Sequence, residues 1–148
     1  MPQLKALNVP RAARSGRAHC GGIDEAWLQG RRSLGTLLPN EPDYIELVYA
    51  CARLGVIIVP LNKRLSVKEI HRILADAQPH GLIRHSSLPV PAVQVSWQIV
   101  LDQNPLDIQS GSIPDPIYDP HAILAFIYTS GTTGRPKGVE IRHANAAM

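Results

Sequence analysis

Short apolar runs alternate with segments of helical periodicity from residue 33 onward, and that alternation permits few folds. Leu34 to Leu38 is an apolar run stopped by Pro39 and Asn40, which predicts a buried strand. Pro42 stands where a first helical turn tolerates a missing N–H, with the acids Glu41 and Asp43 beside the positive end of the dipole. Tyr44, Leu47, Val48, Cys51 and Leu54 then recur at helical spacing until Gly55. Val56 to Val59 is β-branched throughout and predicts a second buried strand, ended by Pro60. Ser66 with Glu69 three residues on predicts a capping box for a helix whose apolar face is Ile70, Ile73, Leu74 and Ala77, closed by Pro79. Leu82 and Ile83 form the core of a third strand, Gln98 to Leu101 a further one, and Ile123 to Tyr128 and Val139 to Ile141 the last two. The Pro- and Ser-rich stretches Ser86 to Pro91 and Asn104 to Pro120 read as surface loops. Strand, helix, strand, helix, strand predicts an α/β fold of βαβ units with a mainly parallel sheet.

Composition narrows the function classes. Of the 148 residues 45% are hydrophobic, which excludes a disordered chain, and no run of apolar residues is long enough for a transmembrane helix. Residues 1 to 32 carry six basic against two acidic side chains, whereas residues 33 to 148 carry nine against ten, so the net charge of +3 belongs to the N-terminal stretch. The body has no basic stripe interleaved with aromatics, and nucleic acid is not the expected partner. Residues 1 to 32 have the Arg, Ala and Ser content of a transit peptide without its amphipathic face, and are expected to be a loosely ordered segment apart from the domain at 33 to 148. Cys20 and Cys51 form no CxxC pair, so a reduced, cytoplasmic setting is expected, with Cys51 a core thiol on its helix face. His80 and His85 have no acid or cysteine at ligand spacing, and no metal site is expected.

The chemistry concentrates in Tyr128 to Gly138. Three glycines, four aliphatic hydroxyls and one lysine follow directly on an apolar strand. Glycines let a backbone turn its N–H groups toward an anion, Thr129, Ser130, Thr132 and Thr133 add O–H donors, and Lys137 adds a full charge. A polyphosphate requires that combination. It is not a Walker A loop: no Gly-Lys-Ser/Thr closes it, and Pro136 resists a helix running across the lysine, so the loop is expected to join two strands.

The run from Phe126 to Glu140 resembles the phosphate-binding signature of the adenylate-forming superfamily, the AMP-dependent synthetases and ligases that include acyl-CoA synthetases. Leu37 to Tyr44 and Ala52 to Asn62 are similar to the early strand–helix–strand unit of the same enzymes, and the short linker that follows resembles compact members such as 2-succinylbenzoate–CoA ligases. The resemblance implies the incomplete N-terminal part of the family's large domain, and ATP-dependent activation of a carboxylic acid as an acyl-adenylate, with coenzyme A the usual acceptor. It assigns Thr129, Ser130, Gly131, Thr132, Thr133, Gly134 and Lys137 to the ATP phosphates, alongside Mg²⁺. His143 is a weaker candidate for the carboxylate pocket, since Arg142 stands where the family usually has threonine. The family's adenine, ribose and carboxylate motifs lie beyond Met148. The chain is therefore expected to be an N-terminal fragment of a ligase, or a non-catalytic remnant or partner-dependent module that associates through an exposed sheet edge.

Overall fold

The computed structural model describes residues 32–103, 119–129 and 136–146 with their side chains, and the strand backbones Ala6–Asn8 and Asp107–Gln109. In chain order the elements are β1 (Ala6–Asn8), β2 (Ser33–Leu37), α1 (Pro42–Leu54), β3 (Ile57–Pro60), α2 (Val67–Ala77), β4 (Gly81–Arg84), β5 (Trp97–Val100), β6 (Asp107–Gln109), β7 (Ile123–Thr129), β8 (Lys137–Arg142) and α3 (His143–Ala146). Six strands form one sheet in the order β5-β4-β2-β3-β7-β8, parallel except for β8. This is the expected α/β architecture.

The strand order explains where the two long helices go. The chain steps from β2 to β3 in one direction and from β3 back across β2 to β4 in the other. Right-handed crossovers taken in opposite directions put their helices on opposite faces of the sheet. The core divides accordingly. Leu34, Leu38, Val56, Ile83 and Ile99 pack with Leu47 and Cys51 of α1, and Leu37, Val59, Leu61 and Leu82 pack with Ile70, Ile73 and Leu74 of α2. Neighbours in sequence such as Leu82 and Ile83 thus serve opposite layers, which is why these strands read as unbroken apolar runs.

The helix ends follow the sequence closely. Pro42 occupies the first turn of α1, and Gly55 closes it in the left-handed conformation at φ 68°, where a side chain would be strained. The capping box of α2 is complete: the Ser66 hydroxyl accepts from the Glu69 N–H at 3.3 Å, and the Glu69 carboxylate accepts from the Ser66 N–H at 2.8 Å. The far end of α2 falls two residues before Pro79, the residue expected to close it. Gln78 adopts the left-handed conformation at φ 43°, donating its N–H to the Leu74 carbonyl at 2.9 Å, before Pro79.

Two expectations change. The Ser86–Pro91 stretch is part of the crossover from β4 to β5 on the α2 face, and Leu88, Val90, Val93 and Val95 pack half-buried against the core there in place of a helix. Pro89 and Pro91 concealed that role by giving the stretch the signature of a loop. The stretch expected as loop after Asn104 contains β6, whose partner β1 lies in the N-terminal stretch, antiparallel with Ala6 opposite Gln109 and Asn8 opposite Asp107.

Candidate functional site

The β7–β8 hairpin carries the candidate site. β7 lies beside β3 with Ala125 opposite Ile58 and runs parallel to it, so Thr129 comes at the carboxyl edge of the sheet, where open α/β sheets bind ligands. β8 returns antiparallel. Its register pairs Thr129 with Lys137, Tyr128 with Gly138, Ile127 with Val139 and Phe126 with Glu140. The loop therefore joins two strands as expected, and Pro136 immediately precedes the second.

Cross-strand partners project to the same face, so the hairpin has two distinct sides. Thr129 and Lys137 share a side with the exposed pair Ile127 and Val139. Phe126 and Tyr128 take the other side and pack against the α2 layer. Both Thr129 and Lys137 are solvent-exposed, leaving a hydroxyl and an ammonium side by side at the loop's two ends. Of the other phosphate-site candidates, Ser130, Gly131, Thr132, Thr133 and Gly134 lie outside the described residues. His143 sits at the opposite end of the hairpin. It begins α3, its N–H donating to the Ala122 carbonyl at 3.1 Å, and β8 separates it from Lys137 by roughly 20 Å at strand rise.

Tyr128 and Gly138 were read only as parts of the motif, yet they are joined tightly. A Cβ at Gly138 would lie 3.1 Å from the Tyr128 ring carbon Cζ. The Tyr128 hydroxyl donates to Asp76 of α2 at 2.6 Å. Burial, and then the Asp76 carboxylate, push the Tyr128 phenol well above its ordinary range, so it retains its proton as the donor. Asp76 was missed because it lies on the polar side of an amphipathic helix, where the periodicity carries no sign of a partner 52 positions away.

The donor chemistry at Thr129 and Lys137 fits phosphate oxygens. Among the described residues no group of three or more His, Cys, Asp or Glu is arranged to hold a metal ion, and a phosphate-bound Mg²⁺ needs few protein ligands because it keeps water and substrate oxygens. No helix among the described residues is long and apolar enough to cross a membrane.

Comparisons with known proteins agree with this architecture. The family model for AMP-binding enzymes matches residues 26–148. A feruloyl-CoA synthase from Amycolatopsis sp is 32% identical over 142 residues, covering 95% of this chain and 29% of the relative. The solved o-succinylbenzoate CoA synthetase MenE from Bacillus subtilis, a double mutant bound with a product analogue, superposes with a TM-score of 0.64 at 31% identity, covering 77% of this chain and 24% of that one. The same enzyme in complex with AMP gives a TM-score of 0.63 at 31% identity over 75% of this chain and 29% of its own. The chain thus spans less than a third of the length of each of these three relatives.

Proposed function

The chain belongs to the AMP-binding enzyme family, and from that premise we propose that it carries the ATP phosphate-binding loop of a carboxylate-activating ligase. The observation that carries this reading is the Thr129–Lys137 pair at the carboxyl edge of the sheet, between which the sequence runs through glycines and hydroxyls. In the whole ligase a carboxylate oxygen attacks the ATP α-phosphorus, the bond to the β-phosphate oxygen breaks, and pyrophosphate leaves with the electron pair. The sulfur of coenzyme A then attacks the acyl carbon and AMP departs. In this chain Lys137 would neutralise the charge that builds on the leaving phosphates, while Thr129, Ser130, Thr132 and Thr133 donate to their oxygens and Gly131 and Gly134 allow close backbone approach. Mg²⁺ would come with the nucleotide, beside Thr129 and Lys137, and would supply further charge neutralisation there. Any such donor that acts as an oxyanion-hole group contributes about 2–4 kcal/mol to the transition state. Cys51 is a free buried thiol, which suits a reducing, cytoplasmic compartment.

Titration of the chain with MgATP tests the loop, and carboxylate-dependent exchange of pyrophosphate into ATP tests catalysis. Lys137→Ala is expected to weaken MgATP binding at least tenfold, and an unchanged affinity would remove the assignment. A second reading, a module that works only with the remainder of the enzyme supplied by another chain, is favoured by the exposed hairpin face of Ile127 and Val139 and by the β8 edge beside it. Exchange activity that appears only when the remainder of the enzyme is added as a separate chain is the outcome that supports this second reading.

A further inference from the structure

One side chain of α2 reaches the hairpin directly beneath the Thr129–Lys137 pair. Asp76, in the last turn of α2, accepts a 2.6 Å hydrogen bond from the Tyr128 hydroxyl. Tyr128 immediately precedes Thr129, and its cross-strand partner Gly138 immediately follows Lys137. The Tyr128 ring lies over that glycine, its hydroxyl oxygen 3.3 Å from where a Cβ would stand, so the ring fills the place that a β8 side chain would otherwise take. One aromatic side chain thus touches both strands at the residues adjoining the loop's two ends. Its far end is tied to a helix held in the core by Ile70, Ile73 and Leu74.

We propose that Asp76 is a positioning residue for the phosphate loop: through Tyr128 it fixes both strand ends, so that Thr129 and Lys137 face one nucleotide in a constant geometry. This rests on the phosphate-binding reading above. The retained phenol proton agrees with it, since a protonated Tyr128 donates and the Asp76 carboxylate accepts. A Tyr128 that served only as core filling would need a ring over Gly138 but no acceptor on α2.

Four variants test the assignment: Asp76→Ala, Tyr128→Phe, the two combined, and Asp76→Asn, whose amide oxygen still accepts. Hydrogen exchange followed by mass spectrometry reads the strand ends, and MgATP titration reads the loop. Either single variant that breaks the bond is expected to speed exchange about fivefold in peptides containing Thr129 or Lys137. Peptides from β2, β3 and β4 should be unchanged, the combined variant should add nothing further, and Asp76→Asn should restore most of the protection. The MgATP dissociation constant should rise by a similar factor. Unchanged exchange, acceleration spread evenly over the sheet, or additive effects in the combined variant would overturn the proposal. So would altered exchange with unaltered MgATP affinity. If the unmodified chain binds neither MgATP nor tripolyphosphate, the phosphate-binding reading fails and the loop role falls with it, while the exchange pattern still decides whether Asp76 holds the strand ends.

Discussion

The β2–α1–β3–α2–β4 unit and the β7–β8 hairpin belong to one sheet but are held by different means. In the first, strands are covered on both faces: Leu37, Val59, Leu82 and Ile83 are fully enclosed. In the second, one face rests on the α2 layer while the other leaves Ile127 39% and Val139 46% exposed. Apolar burial at about 25 cal/mol per Å² stabilises the first region throughout. The hairpin relies on ladder hydrogen bonds, one packed face and the Tyr128–Asp76 bond. The candidate residues Thr129 and Lys137 lie in the less enclosed region, where both side chains are exposed.

Core truncation should show the contrast at its largest. Leu82→Ala is expected to destabilise the chain by about 2–5 kcal/mol in denaturant titration, and Val139→Ala by less than about 1 kcal/mol. Equal losses would mean that the outer hairpin face is covered in solution. The thiol of Cys51 offers a chemical counterpart. Burial pushes it up to about 12 from an ordinary 9.0, so the folded state prefers the protonated form. The associated stability is intact below pH 9 and is lost as pH rises toward 12. Iodoacetamide at pH 8 should therefore label Cys51 only at the rate of global unfolding; fast labelling would show that α1 opens as readily as an exposed segment. Ser66→Ala should cost about 1 kcal/mol through loss of the α2 cap. The Ser66 hydroxyl, then its N–H, hold the Glu69 carboxyl below its ordinary range, so the part of the capping box that the carboxylate supplies is present at neutral pH and fades as pH falls through the lowered value. A cap effect that persisted in strong acid would assign it to Ser66 alone. A gain is expected at the other end of α2: Gln78→Gly relieves the left-handed residue at φ 43° and should stabilise by about 1 kcal/mol, read from the thermal midpoint.

Legibility in the sequence follows the same division. Elements bounded by local chemistry stood out: Pro42 and Gly55 around α1, and Ser66, Glu69 and Pro79 around α2, all within short sequence distances. Strand runs were visible because burial on both faces demands continuous apolar residues. What escaped depends on distant partners. The pairing of β1 with β6 joins segments about a hundred residues apart, with three residues each and no period long enough to detect. The half-buried crossover Leu88 to Val95 reads as loop because no helix or strand period organises it. At the candidate site, the glycines, hydroxyls and Lys137 announced an anion, yet Asp76 could be found only once α2 and β7 lay in the same layer.

The antiparallel return of β8 also sets how the molecule yields to force. The start of β7 and the end of β8 lie side by side, with Ile123 opposite Arg142. Tension applied across those two ends would open the hairpin like a zipper, rung after rung, so that little load is carried at any moment. The parallel strands β2 and β3, drawn from the N-terminus of one and the C-terminus of the other, must instead slide past each other with all their rungs loaded together. The region bearing the candidate loop is mechanically the softer one, and the Thr129–Lys137 rung is the last in the zipper to part.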